Sequence, residues 1–406
     1  MHREWNQFDR DKQMPARTAL NSQSKPATPP SQLGGNMALS VRELLSLATR
    51  GLVPMFDANR RLFCHRLLRK ENGIVREGWS QRYTIMTLLG LRELELASMD
   101  SPFDTKAIYT SFVRETNWIR GIGDLGLLIW LTAVFDPGQL GDIFSKFRCQ
   151  TALDRYPDAR SGRTMELAWF LAGLAHAVDA NPKQTETLRD VAFGTYRRLE
   201  RNQGESGFFG HLNTKSSVAG RLRGRIGSFA DQVYPIYAIS KFARALEVQD
   251  SLGRALRCAD AICRVQGELG QWWWLYDSKN GRVSSRYPVY AVHQHGMAPM
   301  ALFAVEEASG KSFSPFAYRG LGWINKNELG VDMRDAGQNL IWRCILPEIS
   351  QKKYWEIASN LMRSKNDDAP FGSLKVLYEQ RPYEYGWLLY AFASKAEGEP
   401  VLSEQG

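Results

Sequence analysis

The chain has 406 residues, 44% hydrophobic and 23% charged, a globular composition long enough for two or three ordinary domains or one large repeat-built one. Its 52 basic and 43 acidic side chains leave a net charge of +9, which favours anionic partners without naming one. Five cysteines form no CxxC pair, and the longest apolar run, residues 125–135, falls short of the roughly 20 residues of a membrane span, so disulfide, zinc-knuckle and membrane-spanning classes find no support.

Residues 1–37 are rich in Pro, Ser, Gln and Asn without hydrophobic periodicity and read as a disordered extension. The opening MHREWNQFDRDK is neither signal nor transit peptide, so a cytoplasmic protein is expected. Met37 reads as a natural start, with the preceding 36 residues as a start-site artefact. Ser40 can then cap a helix whose Leu44, Leu45 and Leu47 form an apolar stripe.

Strongly apolar helices follow, beginning near Arg82, Asp124, Glu166, Asp231, Tyr290 and Glu384, with a weaker seventh in QNLIWRCIL from Gln338. Between them lie amphipathic helices such as 187–202 and 251–265, which keep one face in water. No strand alternation of useful length is apparent. The pattern predicts a single all-α domain over 38–398 and a disordered tail at 399–406. The fold expected is an α/α toroid of six or seven helical hairpins with short turns or small β-hairpins between repeats, in preference to an open α-solenoid.

Two segments echo each other: QGESGFFG from Gln203 and QGELGQWWWLYD from Gln266, 63 residues apart. In Gln203, Gly207, Phe209 and Gln266, Gly270, Trp272 they resemble the QW repeats of terpenoid cyclases, where a Gln, a Gly and an aromatic close the turn between toroid helices. The acidic DxDD element of that family is missing; the nearest run, Asp332-Met333-Arg334-Asp335, has a basic residue within it. The helical rhythm also resembles six-hairpin glycosidases, toroid polysaccharide lyases and sugar epimerases. His295-Gly296 looks like the HG element of lanthionine cyclases, but the zinc-binding Cys motifs of that fold are absent.

In such a ring the inner helices run parallel, so residues at their starts converge at one end, where the helix N-termini favour anionic groups. Asp124, Glu166, Asp231, Tyr290 and His293 are the candidate catalytic residues; Arg82, Tyr83, Trp169, Tyr234, Trp274, Tyr276, Arg286, Gln294 and Glu384 are the candidate substrate contacts. A helix starting near Pro288 would put Tyr290, His293 and Met297 on one face and His295 on the other, so no metal site is expected. No cofactor is expected either, because phosphate-loop and dinucleotide fingerprints are absent.

Carboxylates beside aromatic rings suit a sugar: acids for the glycosidic oxygen, flat rings for the pyranose. Arg82, Arg286 and the run RLRGR at 221–225 could hold a uronate carboxylate. The reading is an enzyme on an oligosaccharide or acidic glycan, working by hydrolysis, elimination or epimerisation. The alternatives are a terpenoid-cyclase-like or isoprenoid-binding protein and a non-catalytic helical scaffold. Nucleic acid is not an expected partner, because aromatics and basic residues do not interleave.

Overall fold

A computed structural model describes residues 40–156, 163–212, 224–348 and 373–396. The terminal segments expected to be disordered and Arg221 and Arg223 of the RLRGR run lie outside the described residues. Ser40 caps the first helix, α1 (Val41–Leu52), its hydroxyl accepting from the Glu43 amide at 3.5 Å.

The remaining helices in chain order are α2 (Gln81–Leu96), α3 (Thr105–Arg114), α4 (Ile122–Phe135), α5 (Leu140–Phe147), α6 (Cys149–Arg155), α7 (Thr164–Ala180), α8 (Thr185–Glu200), α9 (Ala230–Ala245), α10 (Leu252–Arg264), α11 (Ala298–Ser309), α12 (Ser314–Gly322) and α13 (Pro382–Phe392). Six of them, α2, α4, α7, α9, α11 and α13, are apolar on nearly every side and buried. Each packs on the next, and α13 packs back on α2, closing the ring. The intervening helices lie outside: α3 against α4, α8 against α7, α10 between α9 and α11, α12 against α11, and α1 against α13. Glycines permit the closest inner approaches. A Cβ on Gly90 would strike the Gly386 carbonyl, and one on Gly173 the Gly126 carbonyl.

The axis is filled. Trp130 of α4 stacks on Tyr237 of α9 at 5.0 Å, on His176 of α7 at 4.9 Å and on Trp387 of α13 at 5.7 Å. Because α4 adjoins neither α9 nor α13 in the ring, these rings meet across its centre. Further along, Trp387 Nε1 donates to the Tyr234 hydroxyl at 3.0 Å, and Trp169 meets the Tyr234 ring edge-on at 5.3 Å.

The twin glycine segments are the same device used twice. Gln203 Nε2 donates to Gly207 O at 2.8 Å and to Arg254 O at 2.9 Å; Gln266 Nε2 donates to Gly270 O at 2.9 Å and to Phe316 O at 3.0 Å. Each glutamine thus ties its own turn to the next outer helix, α10 or α12. Gly207 and Gly270 have φ of 95° and 90°, a region that favours glycine.

Two expectations are corrected. QNLIWRCIL is not a seventh inner helix: it forms strands, since Leu340–Ile341 pairs with Arg334–Asp335 and Cys344–Pro347 is flanked by Val289–Tyr290 and Leu374–Leu377. Long strands also exist, because Leu62–Lys70 and Gly73–Trp79 form a hairpin joined by Phe56–Asp57 and Glu379–Gln380. Its register pairs Arg66 with Glu77, so a charged ladder replaces the apolar alternation that betrays a strand. No helix among the described residues is long and apolar enough to cross a membrane.

Candidate active site

Three consecutive inner helices bring a carboxylate to the N-terminal mouth. Asp124, in the first turn of α4, is buried; Arg82 of α2 pairs with its Oδ1 and the Arg120 amide donates to Oδ2 at 2.8 Å. Because residue 123 is glycine, α7 comes close: a Cβ there would lie 3.0 Å from Glu166 Cγ and 3.2 Å from the Trp169 ring. Asp124 and Glu166 are therefore neighbours on adjoining helices. Glu166 is the more open, with its side chain 18% exposed. The Tyr156 hydroxyl donates to its Oε2 at 2.6 Å, and Arg163 approaches Oε1 at 3.8 Å. Burial and this carboxylate push the Tyr156 phenol far up, so it remains the donor.

Asp231, in the first turn of α9, accepts from the Ser228 amide and hydroxyl, each at 2.9 Å, and faces His211 Nδ1 at 3.2 Å. The carboxylate is buried while the His211 side chain is 29% exposed. A buried carboxylate that orients an accessible imidazole is an arrangement suited to general acid–base work. The sequence reading missed His211. Its only signal is position, directly after the Gly210 that ends the first twin segment.

Arginines gather at the same end of the ring, around the starts of α2 and α13. Arg343 pairs with Glu384 and approaches Glu379 at 3.5 Å, and its guanidinium lies 5.0 Å over the Tyr290 ring. Arg381 Nε donates to Glu379 at 2.6 Å and its Nη1 donates to the Tyr83 hydroxyl at 2.7 Å. Arg66 reaches the other Glu379 oxygen at 2.9 Å. Burial works to raise the Glu379 carboxyl, but Arg343 and Arg381 hold it down to about 2. Glu384 lies deeper, and there burial wins, pushing it up to about 7 against the pull of Arg343. Arg343, Glu379, Arg381 and Tyr383, whose ring is 4.5 Å from Tyr83, were also missed. They arrive from segments far apart in sequence, and an arginine inside the apolar run WRCIL was the available signal.

The other expected residues divide. Tyr290 ends the strand Val289–Tyr290, pairing with Cys344, and the chain then makes a π-helical turn, His293–Met297; the regular helix from Pro288 does not form, because residues 289–290 are held in the sheet. His293 packs 4.5 Å from Phe229 and 5.0 Å from Tyr290. Burial, reinforced by Arg343, pushes its imidazole down to about 3, so it is neutral near pH 7. Gln294 accepts from the Trp272 amide at 3.2 Å and donates to Tyr290 O at 3.1 Å, a fully buried tie. Trp169 and Tyr234 belong to the axial filling beneath the mouth, Trp169 with Arg82 6.0 Å above its ring. Tyr276 is closed off between Phe208 and Phe229, because residue 276 faces inward on its strand. Glu384 is likewise fully buried and meets Arg343 rather than open space. Trp274 is nearly buried, and Arg286 is exposed on the rim. Among the described residues no three His, Cys, Asp or Glu side chains are placed to hold a metal.

No protein-family model matches the sequence, and no curated protein does. Solved structures do match in three dimensions. A possible member of the GH105 family from Klebsiella pneumoniae aligns at TM-score 0.56 and 11% identity, covering 94% of this chain and 99% of its own. The unsaturated glucuronyl hydrolase of Bacillus sp. GL1, responsible for degradation of glycosaminoglycan, aligns at 0.54 and 15% identity, covering 89% and 96%. A sugar epimerase from a ruminal bacterium aligns at 0.56 and 11%, covering 89% and 100%. The chain is an α/α toroid. The match spans nearly the whole length of each of these proteins, and identities this low speak to the fold alone.

Proposed function

We propose that the toroid, taken as one catalytic domain over residues 38–398, hydrolyses a short acidic glycan at its N-terminal mouth. The observation that carries this reading is the neighbouring pair Asp124 and Glu166, set in a mouth that also holds Arg82, Arg343 and Arg381. Glu166, partly open and hydrogen-bonded by Tyr156, is the proton donor to the glycosidic oxygen. Asp124, paired with Arg82, stabilises the positive charge that develops on the sugar or directs water to it. His211, oriented by Asp231, is the second acid–base group. Arg343 and Arg381, fixed by buried glutamates, receive the uronate carboxylate.

The structural neighbours include an unsaturated glucuronyl hydrolase specific for heparin and a polysaccharide lyase, which supports a carbohydrate substrate. The isoprenoid alternative is disfavoured, because Trp130, Trp387, Tyr234 and Tyr237 fill the axis that a polyene would thread.

The test is incubation with uronate-terminated di- and trisaccharides, following reducing ends and ultraviolet absorbance together. New reducing ends without a new chromophore are expected, with Glu166→Gln and Asp124→Asn each lowering kcat at least 100-fold. A conjugated double bond appearing instead would mean elimination, and no change with any acidic glycan would sink the enzyme reading.

A further inference from the structure

The outer rim between α9 and α11 carries an arginine unlike those inside. Trp273 is pinned by its own Nε1, which donates to Val265 O at 2.7 Å, and the Arg286 guanidinium lies 5.5 Å over its ring. Tyr287 stands edge-on to that ring at 6.5 Å, and its hydroxyl donates to Glu328 at 3.4 Å. Glu328 is fixed in turn by Trp323 Nε1 at 2.8 Å and Gln271 Nε2 at 3.1 Å. Arg82, Arg343 and Arg381 are each tied to a carboxylate. Among the described residues no carboxylate pairs with Arg286, which is exposed.

A guanidinium held over an indole rather than by a carboxylate keeps N–H groups available to a planar anion. Charge and aromatic surface together are what an anionic sugar offers partners for. Tyr287 precedes by two residues the strand Val289–Tyr290, whose Tyr290 lies under Arg343, so the platform adjoins the mouth and can meet the next unit of an oligosaccharide held there.

We propose that Trp273, Arg286 and Tyr287 form a second anion subsite, taking the carboxylate or sulfate of the sugar unit next to the one held in the mouth. The inference rests on the glycan reading above and names its substrate class more narrowly: acidic on two successive units.

Isothermal titration of the whole chain with trisaccharides of equal length tests it. The ligands carry a uronate, a sulfated sugar or a neutral sugar at the second unit, with an acidic first unit throughout. Wild type is expected to prefer the acidic congeners, and Arg286→Ala to cut that preference about tenfold, the scale of one charge-assisted bidentate contact. Trp273→Ala, which removes the surface that orients the guanidinium, should also cut it. Comparison of the uronate and sulfate arms identifies which anion is taken. A preference that survives Arg286→Ala, with thermal melting showing the variant folded, overturns the subsite. Wild type that binds acidic and neutral congeners alike overturns the subsite while leaving the mouth reading standing, whereas no binding of any trisaccharide removes both.

Discussion

Lowering the pH should weaken this protein through His295, and the size of the effect follows from where that residue sits. It is wholly buried in the π-helical turn before α11, next to Gly296, on which a Cβ would lie 2.9 Å from that of Trp387. Burial pushes its imidazole down to about 3. An unfolded histidine binds its proton near pH 6.5, so between those values the unfolded chain carries one more proton than the folded one. Stability therefore falls as pH falls below about 6.5. At pH 5 the imbalance is about 1.5 pH units, or roughly 2 kcal/mol. Glu384 works in the opposite sense: its carboxyl, pushed up to about 7, penalises the folded state as pH rises from about 4.5 to 7. His293 and His176, pushed down likewise, act in the same sense as His295, so total stability against pH mixes several groups and the informative quantity is the difference between wild type and His295→Leu. Urea unfolding at pH 8, 6.5 and 5 should show the variant within about 1.5 kcal/mol of wild type at pH 8, then gaining about 2 kcal/mol on it by pH 5. A gap that stays constant across the three would refute a neutral, buried His295.

Three further outcomes are expected. Gly270→Ala must place a Cβ against the Arg319 carbonyl at a φ of 90°, so it should cost at least about 2 kcal/mol by urea unfolding. Gln266→Ala and Gln203→Ala each remove two hydrogen bonds to main-chain carbonyls and should cost similar amounts, about 1–3 kcal/mol, read from the same curves. Glu384→Gln leaves the buried Arg343 with Glu379 alone. It should raise KM for acidic substrates more than it lowers kcat; an unchanged KM would mean that Arg343 does not touch substrate.

The inner helices were legible because a helix buried on every side needs little but apolar residues, and LGLLIWLTAVF and ELAWFLAGLAHA supply them. The twin glutamine segments were legible as a repeated unit because the device needs a specific residue at each of its points. What escaped were the contacts made by strands. QNLIWRCIL is apolar enough for an inner helix, and only its pairing with segments some 50 residues upstream and 30 downstream makes it extended. The same holds for the mouth. Asp124, Glu166 and Asp231 could be read from helix starts, whereas His211 and Asp231, or Arg343 and Glu384, are joined by tertiary geometry alone. Burial also altered what the visible residues can do. His293 lost its charge and Tyr276 its access, while Glu384 turned from a prospective ligand contact into the support of an arginine.

The column of Trp130, Trp387 and Tyr234 across the ring has a kinetic corollary. For the glycan hydrolase proposed above, a floor of this kind among the described residues leaves the mouth as the way in and the way out. Product and substrate then compete for the same passage, and no chain can be fed through the molecule while remaining attached. Turnover at high conversion should slow more than substrate depletion explains, and successive cleavages of one long chain should each require a separate encounter.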